Sequence, residues 1–129
     1  MAGSFSNYAE NELLDHLLGT GAAFAQPTPY IALYTVVPTD AGGGTEVSGG
    51  GYARETAAFS AASGGATSNS GAISFTTATA DWGTIVAFGI FDAASGGNLL
   101  AWGDLTENKT VNNGDTISFA IGDLDVTLD

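Results

Sequence analysis

The sequence predicts a mainly β protein: an antiparallel β-sandwich of jelly-roll or Ig-like type, or a small barrel, with one short N-terminal α-helix. The 19 glycines are spread between aliphatic and aromatic runs, which suits short strands joined by tight turns. Those runs are rich in threonine, isoleucine, valine and phenylalanine, which favour a pleated surface. A length of 129 residues is enough for a hydrophobic core without disulfides.

Residues 1–26 differ from the rest and are predicted to form an N-terminal arm, followed by a single β-sandwich domain over 27–129. Asn7 is a candidate N-cap, and Glu10 is placed to close a capping box with it. Gly19 is placed to end the helix, which spans roughly residues 7–18. The helix carries an apolar stripe that covers either the chain's own sheet or a neighbouring protein. The stripe consists of Leu13, Leu14, Leu17 and Leu18.

After residue 29 the hydrophobic pattern becomes that of strands. Segment 83–92 is the most hydrophobic run, so it is predicted to be the central strand, apolar on both faces. A turn at 93–97 predicts a hairpin with the next strand. The pair Asn113-Gly114 predicts a second hairpin turn. The predicted strands cover 30–37, 52–59, 72–77, 83–92, 98–104, 116–121 and 124–128, with loops at 41–51 and 60–71.

In the last third of the chain, apolar residues alternate with polar ones, which predicts strands with one buried and one solvent-exposed face. Ile117, Phe119 and Ile121 alternate with small and polar residues. Leu124, Val126 and Leu128 continue the pattern in the final strand. All six are therefore predicted to face the core.

The charge balance is strongly acidic. Fourteen acidic residues stand against Arg54 and Lys109, giving a net charge of −12. Phosphate binding depends on clustered lysine and arginine, so neither nucleic acid nor an anionic membrane is an expected partner. A positively charged partner, or simply a solvated acidic surface, fits better. No segment approaches the ~20 apolar residues of a membrane span, and no secretory signal is expected.

No residue set predicts catalysis, and we expect a non-enzymatic protein without a cofactor or a metal. His16 is the only histidine, with Glu12 four residues before it, which is far short of a catalytic or metal site. The glycine-rich segments lack the lysine of a phosphate-binding loop. Two alternatives stay open: a sugar-binding platform at Trp82 or Trp102, and oxygen ligands for Ca²⁺ at strand ends. The aspartates concerned are Asp92, Asp104, Asp115, Asp123 and Asp125.

Arg54 is the only guanidinium in this acidic chain and lies on a predicted strand. It is expected either to pair with an acidic side chain or to anchor a contact between subunits, since arginine is favoured at interfaces. The N-terminal arm is the other candidate contact region, because it is separate from the β body. The candidate interface residues are Phe5, Tyr8, Leu13, Leu14, Leu17, Leu18 and Arg54.

Several segments, together with the predicted helix, carry a resemblance that spans nearly the whole chain. They read YIALYT (30–35), PTD (38–40), EVSGGGYAR (46–54), WGTI (82–85), GIFDAASGGNLL (89–100), KTVNNGD (109–115) and LDVTLD (124–129). Together they resemble a family of small bacteriophage virion proteins that are commonly labelled phage tail fibre proteins. No catalytic or binding residues come with the resemblance.

The resemblance implies a structural protein of the virion, assembled in the cytoplasm of the host bacterium. A compact acidic β domain without a coiled coil or repeat is also similar to capsid decoration, or cement, proteins, which clamp neighbouring capsid subunits, often as trimers. We therefore predict a capsid decoration protein on the outer surface of the head. The alternative is a tail fibre or receptor-binding (adhesin) component of the tail. The expected partners are the major capsid protein or tail proteins, and further copies of the chain, with a trimer favoured.

Overall fold

A computed structural model describes residues 3–19, 21 and 24–128. Strands and isolated β-bridges hold 41 % of the described residues and helix 10 %, which confirms the mainly β prediction. Among the described residues no sheet closes on itself, so the sandwich agrees with the structure better than the small barrel. The elements are β1 (Gly3–Phe5), α1 (Asn7–Leu18), β2 (Tyr30–Val36), β3 (Thr45–Glu46), β4 (Glu55–Thr56), β5 (Ala66–Ser68), β6 (Ile73–Ser74), β7 (Gly83–Phe91), β8 (Leu99–Val111), β9 (Ser118–Phe119) and β10 (Asp125–Thr127).

The main sheet has the strand order β1-β8-β7-β2-β3, and β4 also pairs with β2. All of these pairs are antiparallel. The long apolar strand β7 lies in the middle, as its composition predicts. The hairpin from β7 to β8 is closed by Asp92, whose Oδ1 accepts a hydrogen bond from the Asn98 amide at 2.7 Å.

The two faces of the main sheet bury different residues, because successive side chains on a strand point to opposite sides. Ile31 of β2 and Phe88 of β7 pack into the larger hydrophobic cluster. Ile73 of β6 and Phe119 of β9 belong to the same cluster, so the small β6-β9 sheet covers this face as the second layer of a sandwich. The opposite face carries a smaller cluster, formed by Ala32, Tyr34, Ala87, Phe91 and Leu99.

The N-terminal segment enters the main sheet before the helix begins. Strand β1 pairs with β8, with Gly3 opposite Gly103, and sequence patterns do not predict this strand. A Cβ atom on Gly3 would lie 2.2 Å from the Trp102 carbonyl oxygen, so only glycine permits this approach. The division into an arm and a β domain stays a prediction, and residues 1, 2, 20, 22 and 23 of the arm lie outside the described residues.

Helix α1 has the predicted bounds but a different N-cap. Ser6, and not Asn7, is the cap, since the Ser6 hydroxyl accepts a hydrogen bond from the Ala9 amide at 3.1 Å. The same hydroxyl donates to the carbonyl of Leu99, which ties the helix start to β8. Gly19 ends the helix with φ of 73°, as predicted. At 12 residues, this helix does not reach the length and hydrophobicity of a membrane span.

Pairing of the short strands differs from the sequence prediction. The turn at Asn113-Gly114 is present, with Gly114 at φ 92°, but the predicted hairpin is wrong: β9, which follows the turn, pairs with β6. Two predicted loops each contain a strand: β3 lies within 41–51 and β5 within 60–71, where it pairs with β10.

Candidate functional site

The C-terminal half of α1 exposes three of the four predicted stripe leucines. Leu14 is 55 % exposed, Leu17 74 % and Leu18 73 %. The N-terminal half of the helix packs on the protein, where Ala9 is buried and Leu13 is half-buried. The stripe was expected to pack either on the chain's own sheet or on a neighbouring protein. The chain's own sheet does not cover these three leucines.

The two predicted interface aromatics lie in different surroundings. Phe5 is half-buried and packs against the larger hydrophobic cluster. Tyr8 is exposed at the first turn of α1. Partial desolvation, followed by the negative charges of Glu12 and Asp92, raises the pKa of Tyr8. Phe5 thus belongs to the fold, while Tyr8 stands on an acidic surface.

Arg54 precedes β4 and is engaged within the chain. Its side chain is 7 % exposed and forms an ion pair with Glu46, with Nη2 2.8 Å from Oε1. The Nε atom donates to Oε2 of the same carboxylate at 2.9 Å, which makes the pair bidentate. The guanidinium carbon lies 3.7 Å from the centre of the Phe91 ring. The expected pairing with an acidic side chain is confirmed, and a contact to another subunit stays a prediction.

The same network fixes the loop between β7 and β8. Nη1 of Arg54 donates to the carbonyls of Ala93, at 2.9 Å, and Gly96, at 2.8 Å. Burial alone would raise the pKa of Glu46, but the hydrogen bonds from Arg54 and Tyr52, with the charge of Arg54, outweigh it and hold this pKa below its usual value. Glu46 is therefore a stable carboxylate at neutral pH, with a structural partner on each side.

The remaining candidates for chemistry have local structural roles. The Nδ1 atom of His16 accepts a hydrogen bond from the Phe24 amide at 3.0 Å. Trp82 is buried, and its Nε1 donates to the Gly50 carbonyl at 2.8 Å, so it offers no open face to a sugar. Trp102 is half-buried, and its Nε1 donates to Oδ1 of Asp40 at 3.0 Å.

Three of the five aspartates considered as Ca²⁺ ligands hold turns, whereas Asp104 lies within β8 and Asp125 begins β10. Oδ2 of Asp115 accepts from the Asn112 amide at 2.9 Å, and Oδ2 of Asp123 accepts from the Ala120 amide at 2.9 Å. Asp92 does the same for the β7–β8 hairpin. Within the described residues, no group of three or more potential ligands is arranged to hold a metal ion. The positions of Asp92, Asp115 and Asp123 therefore agree with ordinary turn formation by aspartate.

Comparison with known proteins places the chain in a family. A family model described as podophage GP4 fiber I protein gp80 matches residues 4–127. No curated protein matches the chain. The match spans nearly all of the sequence and confirms the resemblance to fibre-type proteins of the phage virion. The chain belongs to the podophage GP4 fiber I protein gp80 family, and it is a structural protein of fibre type in a bacteriophage virion.

Proposed function

We propose that this chain is a fibre subunit that attaches to a neighbouring virion protein through the exposed half of α1. The observation that carries the proposal is the exposure of Leu14, Leu17 and Leu18 on one short helix that is anchored to the body by its other end. Contiguous exposed apolar groups of this kind mark interaction sites. Amphipathic helices commonly bind by laying such a face into a groove of the partner.

The charge of the chain indicates what kind of groove this helix fits. The net charge is −12, and the helix adds Glu10 and Glu12 beside the leucines. Arg54 is already bound to Glu46, and Lys109 has its ammonium 5.2 Å from the centre of the Phe119 ring. A partner with an apolar floor and a rim of lysine or arginine complements this surface, whereas a second copy would bring two acidic helices together.

The apolar contact alone gives limited affinity. Full burial of one leucine side chain contributes about 1.5–3 kcal/mol, and the three are already partly covered. Association costs an estimated 4–15 kcal/mol of lost freedom. Stable attachment therefore needs the charged rim as well, or several subunits that bind together.

Capsid decoration is the second candidate function. The family description supports a fibre, so we place the fibre ahead of the head decoration that the sequence pattern favours. The observation that still supports decoration is a two-layer β fold without any coiled coil among the described elements. Copy number per particle separates these two positions in the virion.

Rebinding to particles tests the proposed attachment. Particles produced without this chain are mixed with the purified protein, and bound protein is measured after sedimentation. The variant Leu17→Ser with Leu18→Ser should bind at least about tenfold more weakly, because burial of two leucines is lost. Matched controls are Ile121→Ser with Leu128→Ser, which remove two apolar side chains that are also exposed, 68 % and 53 %. The control variant should bind normally. The proposal is wrong if the leucine variant binds like the original protein, or if the control variant loses as much binding as the leucine variant does.

Salt and sedimentation identify the occupant of the helix face. If the partner is basic, binding to particles should weaken as the salt concentration is raised to about 0.5 M, because screening shortens the range of charge attraction. Sedimentation velocity of the free protein measures self-association and also tests the predicted trimer. If the leucine variant dissociates an oligomer while particle binding is unchanged, the helix is a contact between copies and the proposed partner is wrong.

A further inference from the structure

The turn between β8 and β9 contains a chemically labile pair of residues. Asn113-Gly114 is the only asparagine followed by glycine in the chain. Asparagine is one of the thermolabile residues of proteins. Glycine as the next residue has no side chain to hinder the backbone nitrogen that attacks the asparagine. Both residues are exposed, so water reaches them.

Deamidation at this pair needs no reactant other than water. The Gly114 nitrogen gives its proton to solvent base and attacks Cγ of Asn113. A bond forms between these two atoms, the bond from Cγ to Nδ2 breaks, and Nδ2 leaves as ammonia. The product is a cyclic imide, and water opens it at either carbonyl to give aspartate or isoaspartate.

The closed turn holds the reacting atoms apart. The Asp115 amide donates to the Asn112 carbonyl at 2.9 Å, so the two residues between them form the middle of a β-turn. Gly114 has φ of 92°, whereas no described residue other than glycine has a positive φ, which makes this a type II turn. In such a turn ψ of the second residue is about +120°. The Gly114 nitrogen therefore lies far from the position, eclipsed with Cβ of Asn113, that ring closure needs.

Hydrogen bonds also hold both backbone nitrogens of the pair. The Gly114 amide, which carries the attacking nitrogen, donates to the Ala78 carbonyl at 2.8 Å. The Asn113 amide donates to Oδ1 of Asp81 at 2.8 Å. The nitrogen can therefore attack only after the turn has opened and the hydrogen bond to Ala78 has broken.

Isoaspartate cannot restore this turn. It places one additional carbon atom in the backbone, which lengthens the path between the Asn112 carbonyl and the Asp115 amide. Either product also adds a carboxylate beside those of Asp81 and Asp115, which already accept hydrogen bonds from amides of the turn, and like charges repel at this spacing. The turn leads into β9, where Phe119 is buried in the core, so deamidation should loosen the second layer of the sandwich.

We propose that Asn113 is a latent deamidation site, which the closed turn protects and which reacts when the turn opens. The reaction then records local unfolding of the link between β8 and β9, and it is irreversible once ammonia has left. A virion protein is not replaced after assembly, so each event remains in the particle. The turn is separate from the leucine face of α1, and the proposal does not depend on the proposed attachment.

Mass spectrometry of tryptic peptides measures the reaction. Cleavage after Lys109 isolates residues 110–129, fragmentation locates the change of mass at Asn113, and enzymatic methylation detects isoaspartate. The native protein, the protein unfolded in guanidinium chloride and a blocked peptide of residues 110–116 are incubated in the same mildly alkaline buffer. The native protein should deamidate at least about tenfold more slowly than the peptide, because only the opened fraction of molecules reacts. The unfolded protein should react as fast as the peptide.

Equal rates for the native protein and the peptide would overturn the proposed protection, and an intact Asn113 in the unfolded protein would overturn the site itself. A pair of variants tests the role of the turn. Asp81→Ala removes the acceptor of the Asn113 amide and should raise the rate in the native protein. Asp123→Ala is the matched control, since Asp123 accepts from the backbone amide of a different turn at 2.9 Å. The proposal is wrong if Asp81→Ala deamidates at Asn113 no faster than this control.

Discussion

Replacing Arg54 with alanine tests the network that joins β3, the segment before β4 and the β7–β8 loop. The substitution removes the ion pair to Glu46, the hydrogen bonds to Ala93 and Gly96, and the contact with the Phe91 ring. Glu46 keeps one side-chain hydrogen bond, from the hydroxyl of Tyr52 at 2.7 Å. The carboxylate is then left in a partly desolvated position without a cation.

The size of the effect follows from burial. Removal of one partner from a fully buried ion pair costs about 3–5 kcal/mol. The Glu46 side chain is 25 % exposed, so water compensates in part, and we expect a loss near the lower end, about 3 kcal/mol. At roughly 4 °C per kcal/mol for a chain of this length, the melting temperature should fall by about 12 °C.

Urea denaturation and thermal unfolding measure this loss, with Lys109→Ala as the control. Lys109 is exposed, and its removal should change the free energy of unfolding by less than about 1 kcal/mol. A loss below about 1 kcal/mol for Arg54→Ala, matching the control, would refute the reasoning.

The pH dependence gives a second check on the same network. Because the pKa of Glu46 is held below its usual value of 4.5, its contribution to stability is complete above that value and is lost as the pH falls through the folded-state pKa. In Arg54→Ala, burial dominates and favours the protonated acid. The difference in stability between the original protein and the variant should therefore shrink between about pH 5 and pH 3. A constant difference over this range would contradict the assigned ion pair.

Three further substitutions test the fold by urea denaturation. Ser6→Ala should lower the free energy of unfolding by about 1 kcal/mol, because the N-cap is lost. Asn7→Ala should lower it by less than about 0.5 kcal/mol. Equal losses would contradict the assignment of Ser6 as the cap. Gly89→Ala should cost about 1–3 kcal/mol through overpacking against the sheet face, while Gly71→Ala, with nothing within 4 Å of its Cβ position, should stay within about 0.5 kcal/mol. Phe88→Ala should cost about 3–5 kcal/mol, since Phe88 is buried between the layers, and a loss below 1 kcal/mol would place it outside the core.

Sequence patterns predict α1, β2 and β7 well, because the pattern within each is sufficient to define it. The strand predicted at 98–104 is too short, because β8 continues to Val111 along its pairing with β7. The apolar run 83–92 becomes β7, the segment 30–37 becomes β2, and the leucine period with Gly19 becomes α1. Adjacent Ser6 and Asn7 are both favoured caps, and only the hydrogen bond from Ser6 to Leu99 on β8 decides between them.

Short strands are set by tertiary contacts that local sequence does not contain. The strand after the Asn113-Gly114 turn leaves β8 because Ile117 and Phe119 are buried in the core, where the Phe119 ring lies 6.3 Å from that of Phe75. The alternation that places these two residues in the core also predicts that Ile121 and Leu128 are buried, which is wrong. Ile121 is exposed in the turn before β10, and Leu128 is exposed directly after β10.

The candidate site was predictable only in part. The helical spacing of the leucines predicts the stripe. Its exposure could not be predicted, because it depends on how much of α1 packs on the sheet. The hydrogen bond from Trp102 to Asp40, which ties the loop that begins at Asp40 to β8, joins residues that lie 62 positions apart. Pairs at that separation leave no signal in a single sequence.

The copy number of this chain per virion, measured by quantitative mass spectrometry against the major capsid protein, is the most direct test of a fibre subunit. A fibre predicts a small fixed number of copies per particle, far below one per capsid subunit. A ratio near one copy per capsid subunit would contradict the fibre position and support head decoration, and absence from purified particles would contradict a place in the virion.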